Sequence, residues 1–186
     1  MQRLTELHAH LQAMGASGLV HLSGTLEQHL RGTESLLREW DSREALCIAG
    51  LFHAVYGNEA YGQVLASIDQ RERIAAVIGS DAEELAYLYG ACNRQTFYAR
   101  LGTRLQLVFS DRFSNTEYQI TESALAGLCE ITLANELEIQ KSRPQFRSRH
   151  RRGGLDPFER MAGLVSAAAF SAFRARANIV MERRIP

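Results

Sequence analysis

Residues 25–56 read TLEQHLRGTESLLREWDSREALCIAGLFHAVY. Leu26, Leu30, Thr33, Leu37 and Trp40 recur at three- and four-residue steps, the spacing of one helical face. Thr25 followed by Gln28 is a capping box, in which the hydroxyl and the amide side chain each satisfy an end-of-helix backbone N–H. Asp41 with Glu44 repeats that signature before a second helix over residues 43–55, apolar from Ala45 to Val55 and so expected to be buried on several sides. Gly57 supplies its stop. Two antiparallel helices of this kind bring the start of the first beside the end of the second. His29 and His53 then share one site, although 24 positions separate them.

The rest of the chain extends the helical pattern outward from this hairpin. Leu4, Leu7, Leu11 and Met14 predict a helix over residues 2–14, broken by Gly15 and Gly18. Downstream, residues 70–78 read as a helix ending at Gly79, and Ser80 with Glu83 as the cap of the next. Residues 91–101 are expected to be helical or turn-rich. Alternation over residues 104–109, with a partner at 117–120, predicts one short β-hairpin. Thr121 caps a long helix in which Leu125, Leu128, Thr132, Asn135 and Ile139 share a face. An amide there needs partners, because leaving it unpaired costs about 1–3 kcal/mol. Asn135 is therefore expected to bond a core backbone group or to join the histidines, with Glu138 one turn further on and slightly to the side. Asp156 and Pro157 signal a final helix running through Arg174, with Met161, Leu164, Ala168 and Phe173 packing.

With 186 residues, 46% hydrophobic and 23% charged, the chain has the composition of one soluble globular domain, which the helical spacing makes mainly α. Its apolar runs are too short to span a bilayer, and the N-terminus lacks the pattern of a secretory signal, so a cytoplasmic protein without membrane association is expected. Cys47, Cys92 and Cys129 lack metal-knuckle or redox spacing and read as small buried side chains. The net charge is zero, but residues 1–140 hold 18 acids and 10 bases, a net of −8, and residues 141–186 hold 3 acids and 11 bases, a net of +8. Much of that excess falls in a basic loop at 141–155, where Pro144 and the Gly153–Gly154 pair disfavour a helix. With no aromatic but Phe146 and no surrounding motif, this loop reads first as an ordinary solvated loop and only second as a nucleic-acid contact.

The GTLxxHLxGT…AGLFHAVYG pattern resembles the HD-domain superfamily of metal-dependent phosphohydrolases and related iron oxygenases. It is also similar to a small uncharacterised bacterial and fungal family. The resemblance is strongest over residues 24–60 and weaker over residues 128–140. It implies an HD-like helical bundle in which His29 and His53 correspond to two of four metal ligands. Ala54 stands where the paired Asp is expected, and Asn135 where the distal Asp is expected. Loss of both carboxylates weighs against a metal. Should one bind, two imidazoles select a borderline ion such as Fe, Mn or Zn over Mg²⁺.

Three classes of function stay open. One is a degenerate hydrolase-like enzyme acting on a small phosphorylated or carboxylated molecule. Another is a metal-independent lyase or isomerase. The third is a non-catalytic protein that binds a small ligand or an acidic partner. His29, His53, Tyr56 and Asn135 are the candidate catalytic residues, and His29 and His53 the candidate metal ligands. Arg94, Arg147 and Arg151 are candidates for holding an anionic substrate. The Ala-rich C-terminal helix is compatible with homodimer formation.

Overall fold

A computed structural model describes residues 2–21, 24–142 and 157–182 of the chain. It is mainly α-helical, with two short antiparallel strand pairs. The elements in order are α1 (Gln2–Ala13), β1 (Val20–His21), β2 (Gly24–Thr25), α2 (Leu26–Glu39), α3 (Glu44–Phe52), α4 (Arg71–Ile78), α5 (Ser80–Ala91), α6 (Arg94–Arg100), β3 (Val108–Asp111), β4 (Thr116–Gln119), α7 (Glu122–Ser142) and α8 (Ala167–Glu182). Among the described residues, no helix is long and apolar enough to cross a membrane.

The centre is built from α2, α3, α5 and α7, with α4 against α5 and α8 against α7. The whole predicted stripe of α2 is buried, from Leu26 to Trp40. Thr25 caps this helix as expected: Gln28 N–H donates to Thr25 Oγ1 at 3.2 Å, and Thr25 N–H donates to Gln28 Oε1 at 3.0 Å. Small residues then allow close approach between helices. A Cβ on Gly127 would stand 2.9 Å from Leu85 Cδ2, so α7 and α5 meet there with no room to spare. A Cβ on Gly32 would stand 2.7 Å from Glu138 Cγ, which brings α7 against α2 one turn beyond His29.

The predicted β-hairpin forms as β3–β4, from Val108 paired with Gln119 to Asp111 paired with Thr116. It begins later than the alternation suggested, because residues 101–107 are turns. The Asp111 carboxylate closes the connection by accepting from the Phe113 and Ser114 N–H groups at 2.8 and 3.1 Å. Sequence alone did not identify the small β1–β2 pair that precedes α2.

Several expected boundaries move. Asp41 does not cap α3; it takes a left-handed conformation (φ 57°) in the turn after α2, and Arg43 holds the cap position. Gly79, not Ser80, precedes α5. The helix α3 stops at Phe52, and residues 53–56 form a turn that Gly57 completes with φ 69°. The final helix starts at Ala167 in place of Pro157. Before it, residues 157–165 form a short 3₁₀ turn and further turns that bury Phe158 and Met161. The delay comes from Ser166, which is drawn onto the buried Glu130: its N–H donates to Oε2 at 3.0 Å and its hydroxyl to Oε1 at 3.0 Å. As a result Ala169, not Ala168, enters the core.

Cys47, Cys92 and Cys129 are buried free thiols. Burial pushes Cys47 and Cys92 up to about 11, so each stays a protonated packing residue at neutral pH.

Candidate functional site

His29 lies on the second turn of α2 and is 4% exposed. Its Nδ1–H donates to the Glu138 carboxylate of α7, and its Nε2 lies 3.0 Å from Asn135 Oδ1, also on α7. The three-residue step from Asn135 to Glu138 places both side chains on neighbouring turns of one face. One imidazole is thereby gripped at both nitrogens by a single helix. With Nδ1 donating to the carboxylate, a neutral ring keeps a lone pair at Nε2, and the amide of Asn135 meets it through its NH₂ end once turned.

His53 follows the last residue of α3 and is fully buried. Its Nδ1–H donates to Gly50 O at 2.7 Å, and its Nε2 has no hydrogen-bond partner among the described residues. Burial holds this ring well below its ordinary pKa, and the charges of His29 and Arg94 push in the same direction, against the Gly50 carbonyl. His53 is therefore neutral, with an inward acceptor at Nε2. The His29 and His53 rings meet edge to face with centroids 5.2 Å apart.

Two aromatic groups that sequence did not assign complete the arrangement. Tyr89 of α5 packs on His53 at 4.7 Å, with the rings at 72°. His21 of β1 stacks on His29 at 4.2 Å and 27°. Tyr61 packs edge-on against His21 at 4.8 Å and donates to Val20 O at 3.1 Å, tying the 58–66 loop to β1 over the histidines. His21 falls between helices in the sequence, and the pairing of β1 with β2 places it here.

Tyr56 is directed elsewhere. Its hydroxyl donates to Glu83 Oε1 at 2.8 Å, and Glu83 is paired in turn with Arg71. A continuous helix would have put Tyr56 one turn beyond His53 on the same face. The break at residue 53 removes that relation, and Tyr89 is the tyrosine that touches the imidazole. Arg94 lies beside Tyr89, with Cζ 4.1 Å from its ring centroid. Arg147 and Arg151 lie outside the described residues. Among nearby acids, Glu34 pairs with Arg38, Glu59 accepts from the Arg94 backbone N–H, and Glu138 meets His29.

The donors fall short of an HD-type metal centre. Ala54 offers no ligand, Asn135 is a neutral amide, and Glu138 is committed to Nδ1 of His29. Among the described residues, no group of three or more His, Cys, Asp or Glu side chains is placed to hold a metal ion.

A family model described as a domain of unknown function (DUF6817) matches residues 10–94. That span includes His21, His29, His53, Tyr89 and Arg94, and ends before the α7 residues that grip His29. Among curated proteins and among solved structures, none matches this chain.

Proposed function

We propose that the protein is a metal-independent enzyme that moves a proton on a small phosphorylated or carboxylated molecule, on a scaffold resembling the HD-domain group. The observation that carries this reading is the Glu138–His29–Asn135 grip beside a neutral His53. Glu138 orients the His29 ring and stabilises the imidazolium formed when Nε2 takes a proton, the task a carboxylate performs behind any histidine base. A substrate O–H or C–H displaces the Asn135 amide from Nε2, and the freed amide hydrogen-bonds the substrate. His53 takes no proton at neutral pH, so its Nε2 accepts a hydrogen bond and fixes the substrate's orientation. Proton removal next to a stabilised oxyanion is the step shared by lyases and isomerases.

The test is a panel of small phosphorylated and carboxylated compounds, followed by NMR for turnover in chelator-treated protein. The expected result is turnover that falls about 10²-fold or more in His29→Gln while thermal unfolding remains cooperative. Turnover that persists in this variant removes His29 as the base.

A metal centre is the second reading, and the inward Nε2 of His53 favours it. Both imidazoles have Nδ1 satisfied by an acceptor, the arrangement found behind metal-bound histidines. Elemental analysis of tag-free protein separates the two readings. Near one Fe, Mn or Zn per chain, lost in both His29→Ala and His53→Ala, establishes the metal and overturns the metal-free proposal. No metal after anaerobic reconstitution rejects it.

A further inference from the structure

The helix α5 presents two tyrosines, Tyr87 and Tyr89, and each carries an arginine on its ring. Arg71 lies over Tyr87 with Cζ 3.6 Å from the centroid, and Arg94 lies over Tyr89 at 4.1 Å. The two arginines differ in what meets their edges. Arg71 makes a two-bond pair with Glu83: Nε donates to Oε1 at 2.7 Å and Nη2 to Oε2 at 2.8 Å. Arg94 Nη1 donates to Thr132 Oγ1 at 3.3 Å and Nη2 to Tyr89 O at 3.5 Å, both long. Thr132 gives its own proton to Leu128 O, so it meets Arg94 as an acceptor. Glu59 reaches the residue at 2.9 Å, but on the backbone N–H. Among the described residues, the Arg94 guanidinium forms no ion pair with a carboxylate. A guanidinium with its face covered by a ring and only long bonds along its edge matches a planar anion in two parallel bonds.

The position of Arg94 links it to the histidines. His53 and Arg94 pack on the same Tyr89 ring, at 4.7 and 4.1 Å, so they stand no farther apart than those two distances laid end to end. Charge selects among anions. Against the single cation of Arg94 stand the carboxylate of Glu138 and the longer-range charge of Glu136. A monoanion adds one negative charge to this setting and a phosphate dianion adds two, so a carboxylate is the less costly anion to bury there.

We infer that Arg94 binds the carboxylate of a small carboxylic-acid substrate, taking from it the two bonds that Arg71 takes from Glu83. The inference rests on the reading of His29 and His53 as the reactive groups, and it narrows the substrate class to carboxylic acids. The geometry of binding is a flat carboxylate at the Arg94 edge, with the rest of the molecule reaching past Tyr89 towards His53 Nε2.

The test is a titration of the full chain with propionate, a monocarboxylate, and, separately, with inorganic phosphate, followed by ¹⁵N NMR including the Arg94 Nε–H signal. The expected result is saturable propionate binding that shifts this signal and is stronger than phosphate binding. Affinity should fall about tenfold or more in Arg94→Gln, the usual worth of a charge-assisted pair. Arg94→Lys, which keeps the charge but not the fork, should recover only part of the loss, and Arg104→Gln, at an exposed arginine outside the site, should leave propionate binding within about twofold. Unchanged binding in Arg94→Gln, no saturation, stronger phosphate binding, or an equal loss in Arg104→Gln overturns the assignment. Propionate binding through Arg94 without any turnover of carboxylic acids would leave the carboxylate site standing and count against the acid–base proposal alone.

Discussion

His53 is buried with one nitrogen satisfied and the other turned inward, and this fixes how the protein responds to acid. Its folded-state pKa lies well below its ordinary value of 6.5. As pH falls below that value, the unfolded chain binds a proton at this residue that the folded chain does not, so stability is lost in that direction and is unaffected above it. The slope from one such group approaches about 1.4 kcal/mol per pH unit. Urea unfolding between pH 7.5 and 5.5 should show a loss of about 1.4 kcal/mol in all from this group in the wild type and a shallower fall in His53→Gln. Identical slopes would show that His53 is not held neutral. The meeting of His29 with His53 was legible from helical spacing, and so was the place of Asn135 on the apolar face, but whether Asn135 met the histidines or a core backbone group was open until α7 was placed. The choice between Tyr56 and Tyr89 was not, because it depends on α3 ending at Phe52 and leaving the helical register before Tyr56.

At the scale of the element, α2 is the most completely specified part of the chain. Its cap, its apolar stripe and its partner helix were all readable. Thr25→Ala should cost about 1 kcal/mol, since the hydroxyl satisfies an otherwise orphaned N–H, and chemical denaturation measures it. The contact between α2 and α7 is a different matter. Gly32 has no side chain where Glu138 Cγ passes, so Gly32→Ala should gain up to about 1 kcal/mol of helix propensity yet push Glu138 off His29. The expected signature is an altered His29 Nδ1–H resonance with little change in stability. An unchanged resonance would show that Glu138 adjusts around the methyl group. In α8, the sequence signal for a helix start at Pro157 was genuine, but it yielded to tertiary demand. Burying Phe158 and Met161 and seating Ser166 on Glu130 require turns before Ala167.

Across the whole molecule, Glu130 joins segments distant in sequence. Its buried carboxylate accepts from Ser42 Oγ at 2.7 Å, in the α2–α3 connection, and from the N–H and hydroxyl of Ser166 at the head of α8. Removing it leaves those donors without a partner in the interior. Glu130→Ala should therefore destabilise by about 2–4 kcal/mol and expose α8 to limited proteolysis before the rest of the chain. Cleavage that begins elsewhere would show that this carboxylate does not anchor α8. Among the described residues, the histidine group draws on β1, α2, the end of α3, α5 and α7. Loosening α7 should weaken it without touching a candidate catalytic side chain.

By itself, the sequence determined the mainly helical class, the central hairpin and the meeting of His29 with His53, because helical periodicity and capping are local properties written in neighbouring residues. Tertiary structure decided what surrounds those histidines. Glu138 reaches Nδ1 because Gly32 lets α7 approach, His21 arrives through a two-residue strand pair, and Tyr89 replaces Tyr56 because α3 stops early. Each of these depends on how close two distant segments can come and on which buried polar groups must be satisfied when they meet, and neither quantity is encoded in the spacing of one segment.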